Sequence, residues 1–229
     1  MTTTKERFER ASRELADTCA QAGRDADEVT LVAVSKTVGP EDVALAIEGG
    51  ARDFGENRPD QLVAKADQFT DVNWHFIGNI QSRRIRDIVG RAVLIHSLFE
   101  ESHARKIDEI AHQHGIVQDV LLEVNVSGEQ SKSGRTPEEV RELLEVCRTL
   151  PNVRVRGLMT MAPQGDSEVA RATFVGLREL RDALRAQLPE GEATQFTELS
   201  MGMSEDWREA VEEGATIIRV GRAIFSDTF

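Results

Sequence analysis

VTLVAVSKTVGPEDVALAIEGGARDFGENRPDQLVAKADQF (29–69) holds two strand–helix units in a row. Its first run, 29–36, is apolar and Val-rich, which suits a parallel strand covered on both faces. Pro40 then sits at a first-turn position, with Glu41 and Asp42 behind it and a glycine pair at 49–50. ARDFGEN (51–57) supplies a second strand, and Pro59 opens a second helix. The alternation continues to the C-terminus. VNWHFIG (72–78), AVLIHSL (92–98), DVLLEVNV (119–126), VRVRGLMTM (153–161), TELSMGMS (197–204) and TIIRVGRAIF (216–225) are further strand candidates. Residues 80–90, 101–115, 136–150, 167–188 and 204–214 carry helical patterns. In 136–150, Thr136 and Glu139 have capping-box spacing.

Eight such β/α units imply a parallel sheet, and the chain length is near the roughly 250 residues typical of a barrel. The expected fold is α/β: a single (β/α)8 TIM barrel over 1–229, with an extra N-terminal helix at about 3–22. An open doubly wound sheet is the alternative. It lacks its usual fingerprints, since no GxGxxG follows the first strand and no Walker A motif occurs.

Of 229 residues, 40% are hydrophobic and 30% charged, the balance of a globular protein. No apolar run approaches the roughly 20 residues that span a bilayer, and the charged N-terminus is unlike a signal peptide. A net charge of −12 argues against nucleic acid or anionic membrane as a partner. Cys19 and Cys147 have no metal or redox spacing, so a reducing, cytoplasmic setting is expected. No long apolar stripe stands out, and a monomer is expected.

Lys36 closes the first strand candidate. Lysine is scarce, five against 23 arginines, so an amine at this place invites a chemical explanation. A desolvated lysine loses charge and can attack a carbonyl to form a Schiff base. The bland alternative is a lysine that snorkels to water or pairs with an acid.

Barrel function gathers at the C-terminal ends of strands, where Lys36, Asn57 and His75 fall. The seventh strand ends in SMGMS (200–204), with Ser204 as a helix cap, and the eighth offers Gly221. These two loops form the usual anion corner of such barrels. Arg219 interrupts the apolar run TIIRV, and alternation sends it to one face with Ile217. Its acceptor is a carboxylate or a ligand ring nitrogen. His75 is either a ligand contact or a hydrogen-bonded core residue. His103, His112 and His114 are expected on helix surfaces, and Lys132-Ser133-Gly134 in a solvated loop. No Ser-His-Asp set or metal cluster is visible.

An amine, a buried arginine and an anion corner together suggest pyridoxal 5′-phosphate. The chain resembles the pyridoxal-phosphate homeostasis proteins of the YggS/PROSC type. The resemblance rests on LVAVSK (31–36), DFGENR (53–58), WHFIGNIQ (74–81), HSL (96–98), VNVSGEQSKSG (124–134), GLMTMAP (157–163), LSMGMSEDW (199–207) and IRVGRAIF (218–225), in that order. It implies the alanine-racemase barrel of fold-type III. It also implies a Schiff base on Lys36, Arg219 facing the pyridine nitrogen, and phosphate held by Ser200, Ser204, Gly221 and Arg222. Asn57 would lie beside the cofactor, with His75 and Met161 as walls. Pro59, Ser82-Arg83-Arg84 and Ser226 depart from the family pattern, all away from that site.

The implied role is cofactor buffering or delivery that influences amino-acid and keto-acid balance, without catalysis. Free amino acids and pyridoxal-phosphate-dependent apoenzymes are the further expected partners. Related racemases place a tyrosine from a β-rich domain opposite the lysine, and this chain has no tyrosine and no room for that domain. An arginine at the ring nitrogen also weakens the electron sink. The alternatives are a weak amino-acid racemase or other pyridoxal-phosphate enzyme, a lysine aldolase without the cofactor, and a barrel with an ordinary surface lysine.

Overall fold

A computed structural model describes residues 2–129 and 132–228. The strands are β1 Thr30–Val34, β2 Asp53–Glu56, β3 Asn73–Phe76, β4 Leu94–Leu98, β5 Gln118–Glu123, β6 Val153–Met159, β7 Glu198–Ser200 and β8 Ile217–Val220. They pair in parallel in chain order, and β8 returns to β1 to close the barrel. The helices are α1 Thr4–Gln21, α2 Pro40–Glu48, α3 Pro59–Gln68, α4 Ile85–Ile88, α5 Glu101–His114, α6 Glu139–Arg148, α7 Ser167–Arg185, α8 Glu190–Ala193, α9 Trp207–Glu212 and α10 Arg222–Phe225. All eight expected strands and the extra N-terminal helix are present.

Local chemistry sets the boundaries. Thr3 and Glu6 form a reciprocal capping box on α1. Pro40 and Pro59 start α2 and α3, where a missing N–H costs nothing. Thr136 and Glu139 exchange side-chain-to-backbone hydrogen bonds before α6. The helix expected over 80–90 is shorter, a 3-10 turn at Ser82–Arg84 followed by α4. Only Ile85 and Ile88 of α4 are buried, and the intervening Arg86 and Asp87 give it no wider apolar face. The last long helix starts at Trp207 and not at Ser204. Asp206 Oδ1 takes the Met203 N–H at 2.6 Å and holds 203–206 in a turn.

Strand alternation sorts side chains into two layers. Val32, Leu94, Leu121, Met159 and Ile217 fill the barrel interior, with Met161 against them. Ala33, Phe54, Phe76, Ile95, Val120, Leu158, Leu199 and Ile218 face outward into the core beneath the helices. Register puts several polar residues on the interior face. Asp53 and Arg219 both pair with Val32, and His75 pairs with Leu94. Ser200 pairs with Met159 and Ile217. From outside, α1 clamps the end of the chain: buried Arg7 donates from Nε to the Ile224 carbonyl at 2.7 Å.

Candidate ligand site at the C-terminal mouth of the barrel

A cavity of about 380 Å³ opens where the strands end. Seven of the nine site residues expected from sequence line it: Lys36, Asn57, Met161, Ser204, Arg219, Gly221 and Arg222. Val34, Ile77, Met159 and Met203 add apolar walls. Its size falls within the range of small-molecule pockets, roughly 300–1,000 Å³. A second cavity, of about 440 Å³, lies among Cys147, Leu150, Val153, Arg154 and Phe196. That is the opposite end of β6, and none of the nine residues lines it.

Lys36 does not sit inside a buried strand. β1 ends at Val34, and the Lys36 side chain is exposed at the cavity rim. The buried amine is Lys65 on α3, 4% exposed. Its Nζ donates to Glu56 Oε1 at 2.6 Å and to the Ser35 carbonyl at 2.8 Å. The Ser35 hydroxyl donates to the same Glu56 oxygen at 2.7 Å, and the Ser35 N–H reaches the Gly55 carbonyl. Ser35 is therefore fixed at three points, and Lys36 projects from a rigid shoulder.

Arg219 forms part of the cavity floor and is itself 4% exposed. It donates to Ser200 Oγ at 2.5 Å and to the Thr160 carbonyl at 3.0 Å. Burial pulls its pKa down to about 10, against the opposing charges of Asp206 and Glu123, so it stays a cation at neutral pH. Two of the nine expected residues, Ser200 and His75, fall outside this lining. Ser200 is fully buried beneath the cavity, bonded to Arg219 and to His96, and does not line the cavity. His75 is 4% exposed in the barrel interior, bonded to His96 and Asp53, so the core reading replaces the wall reading. Both side chains turn into the barrel interior, and the Ser200 hydroxyl, although at the end of β7, is engaged by His96 and Arg219.

The corner between β7 and β8 is assembled by side-chain and backbone contact. Ser204 Oγ accepts the Gly221 N–H at 3.3 Å, so Ser204 ties two loops together and does not cap α9. A Cβ at Gly221 would lie 3.3 Å from the Val34 carbonyl oxygen, so β1 passes close by. Arg222 pairs with Glu205 at 2.7 Å on the rim. Asp206 also lines the cavity, and burial pushes its carboxyl above the usual range. Asn57 is placed by contact with the segment that follows β3: a Cβ on Gly78 would fall 2.1 Å from the Asn57 carbonyl oxygen.

Several residues escaped the sequence reading. Glu56 and Lys65 form a buried pair behind Lys36, and the acid ending an apolar strand was the available signal. His96 is fully buried between His75 and Ser200. Glu123 is 2% exposed and accepts from Ser133, and burial raises its pKa. His103 is not on the surface: it is 5% exposed and bonded to Ser82 Oγ at 3.0 Å. His112 and His114 are exposed as expected. Within the stretch 124–134, Gln130 and Ser131 lie outside the described residues. Among the described residues, no cluster of His, Cys, Asp and Glu could hold a metal ion. No helix among them is long and apolar enough to cross a membrane.

The family model "Alanine racemase, N-terminal domain" matches residues 12–228. The pyridoxal phosphate homeostasis protein of Aquifex aeolicus is 41% identical over 97% of both chains. Among solved structures, an unknown protein from Bifidobacterium adolescentis matches with a TM-score of 0.91 and 36% identity, over 97% of this chain and 94% of that one. PipY of Synechococcus elongatus PCC7942, solved with PLP bound, matches with a TM-score of 0.81 and 35% identity, over 93% of this chain and all of that one.

Proposed function

We propose that this chain, which belongs to the pyridoxal phosphate homeostasis protein family, binds pyridoxal 5′-phosphate at the C-terminal mouth of its barrel and holds or delivers it without robust catalysis. The observation that carries the proposal is the joint lining of one cavity by Lys36, Arg219, Ser204, Gly221 and Arg222. The PLP-bound relative PipY supports the same cofactor.

The residues suit the group. When bound, pyridoxal phosphate supplies an aldehyde that condenses with a primary amine. Lys36 offers that amine from its rigid shoulder, where it remains open to incoming amines. Arg219 is a cation with donors only, so it can hydrogen-bond an unprotonated ring nitrogen but cannot accept a proton from it. Ser204, the Gly221 backbone and Arg222 would hold the phosphate. The Arg222–Glu205 pair would have to open for that contact, and both groups are half-exposed, so its opening costs little. Asn57 and Met161 would flank the ring. The whole barrel, 1–229, acts as one domain and as a monomer. Its two buried free cysteines favour a reducing, cytoplasmic setting.

Racemisation needs two bases on opposite sides of the cofactor plane. The cavity offers Lys36 but, among its described lining residues, no histidine, cysteine or tyrosine. The second reading is a weak racemase or other pyridoxal-phosphate enzyme, with Asp206 as the other acid–base group. The raised pKa of Asp206 favours it. The engagement of Asp206 Oδ1 by the Met203 N–H opposes it.

The test is the visible spectrum of the protein incubated with pyridoxal phosphate, then borohydride reduction and peptide mapping. A yellow protein with the pyridoxyl label on Lys36, and no label at that peptide in Lys36→Ala, is expected. A colourless, unlabelled protein would sink the proposal. Amino-acid racemisation lost in Asp206→Asn would move the reading to the enzyme.

A further inference from the structure

A line of hydrogen bonds crosses the barrel beneath the cavity. Asp53, the first residue of β2, bonds through Oδ1 to His75 Nε2 at 3.1 Å. His75 Nδ1 meets His96 Nε2 at 2.9 Å, and His96 Nδ1 meets Ser200 Oγ at 2.9 Å. Ser200 Oγ meets Arg219 at 2.5 Å. The Asp53 side chain is 23% exposed, whereas His75, His96, Ser200 and Arg219 are buried. One end of the line is therefore wet and the other lies in the cavity floor.

The polarity of this line follows from the chemistry of its ends. A guanidinium only donates, so Arg219 gives a proton to Ser200 Oγ. The remaining partner of that buried hydroxyl, among the described residues, is His96 Nδ1. A buried hydroxyl proton requires an acceptor, so Ser200 donates to a bare Nδ1. His96 then carries its proton on Nε2 and donates it to His75 Nδ1. His75 in turn carries its proton on Nε2 and donates to Asp53. Burial, the largest cause, depresses the His96 pKa, in agreement with a neutral ring. At the far end, Asp53 is an acceptor. Burial would raise its pKa, but hydrogen bonds from His75 and Asn73 outweigh this and hold it low. Glu123 and Asp206 are the other charges that bear on Arg219.

We propose that Asp53, His75, His96 and Ser200 are positioning residues for Arg219, forming one hydrogen-bond chain in which every donor points from Arg219 toward Asp53. Both histidines are neutral and protonated on Nε2. The chain holds the guanidinium in a single orientation from the opposite mouth of the barrel. Its effect on a ring nitrogen rests on the cofactor reading above; its polarity does not.

The experiment is long-range 1H–15N correlation on the full chain labelled with 15N-histidine, first without cofactor. His75→Gln and His96→Gln spectra assign the rings. Unprotonated Nδ1 and protonated Nε2 signals on both rings at neutral pH are expected. An Nδ1–H tautomer or an imidazolium on either ring would overturn the chain. Asp53→Leu removes the terminal acceptor and is expected to displace the His96 signals. Asp53→Asn keeps an acceptor oxygen and is expected to preserve them. His96 signals unmoved in Asp53→Leu would overturn the positioning role. With pyridoxal phosphate added, Asp53→Leu is expected to shift the visible absorption maximum and Asp53→Asn to restore it. A protein that takes up no cofactor defeats the previous reading, while the cofactor-free spectra still decide this one.

Discussion

The ammonium of Lys65 donates to the carbonyl oxygen of Ser35 at 2.8 Å, one residue before Lys36. The one buried lysine among the described residues thus supports the exposed one. Lys65→Met removes the cation and leaves Glu56, fully buried, with Oε2 already lacking a hydrogen-bond partner. Removing one member of a buried pair costs about 3–5 kcal/mol. Urea unfolding should register a loss of that size. Glu56→Gln combined with Lys65→Met should recover part of it, because no buried charge is then stranded. A loss in the range of a surface pair, below about 1 kcal/mol, would contradict the account.

Gly78 sets the position of Asn57. A Cβ there would lie 2.1 Å from the Asn57 carbonyl oxygen, and the Gly78 carbonyl is itself held by Ser97 Oγ at 2.5 Å. Neither backbone segment can yield without breaking a contact. Gly78→Ala should therefore cost about 1–3 kcal/mol, as overpacking does, and weaken pyridoxal phosphate uptake. Thermal unfolding and a cofactor titration check the two effects. Unchanged uptake with lowered stability would detach Asn57 from the site.

The barrel was legible because its signals repeat. Each strand is a short apolar run, prolines mark the helix starts at 40 and 59, and the Thr136–Glu139 exchange marks the approach to α6. The cavity lining was legible where it coincides with a strand end, as at Lys36, Asn57 and Gly221. It was not legible in depth. Ser200 and Ser204 lie four residues apart in one motif, yet one is interior and the other lines the mouth. Only the register of β7 against β6 and β8 separates them. Helix periodicity likewise sent His103 to the surface and did not mark Lys65 as buried, because their partners Ser82 and Glu56 come from other elements.

Cys147 is fully buried on α6, and its thiol is pushed up to about 12, mainly by burial and also by the charge of Glu101. The thiolate is the reactive species, so Cys147 should resist alkylation at pH 8 in the folded protein. Cys19 is also fully buried and has a raised pKa, chiefly from burial. Mass spectrometry after iodoacetamide treatment should find both thiols unmodified without denaturant and labelled in urea. Fast labelling of Cys147 in the native state would show that α6 opens locally.

His96 should make the fold acid-sensitive. Its ordinary value is 6.5, and in the folded chain it lies well below that, first because of burial and then because of His75 and Arg219. Below pH 6.5 the unfolded chain binds a proton on this ring that the native chain does not. Stability must then fall as the pH drops, until the native ring also titrates, and one such proton sets a limiting slope of about 1.4 kcal/mol per pH unit. Glu123 works in the opposite direction. Its raised pKa lets the native carboxyl keep a proton above the ordinary 4.5, so its contribution is lost as the pH rises through that window. Urea unfolding of the wild type between pH 7.5 and 5.5 should therefore show declining stability. His96→Gln cannot gain that proton. It should be less stable at pH 7.5, because it interrupts the bonds to His75 and Ser200, but its stability should fall less steeply toward pH 5.5. Parallel pH profiles for the two proteins would mean that His96 is protonated in the native state and that its burial is not what the acid response measures.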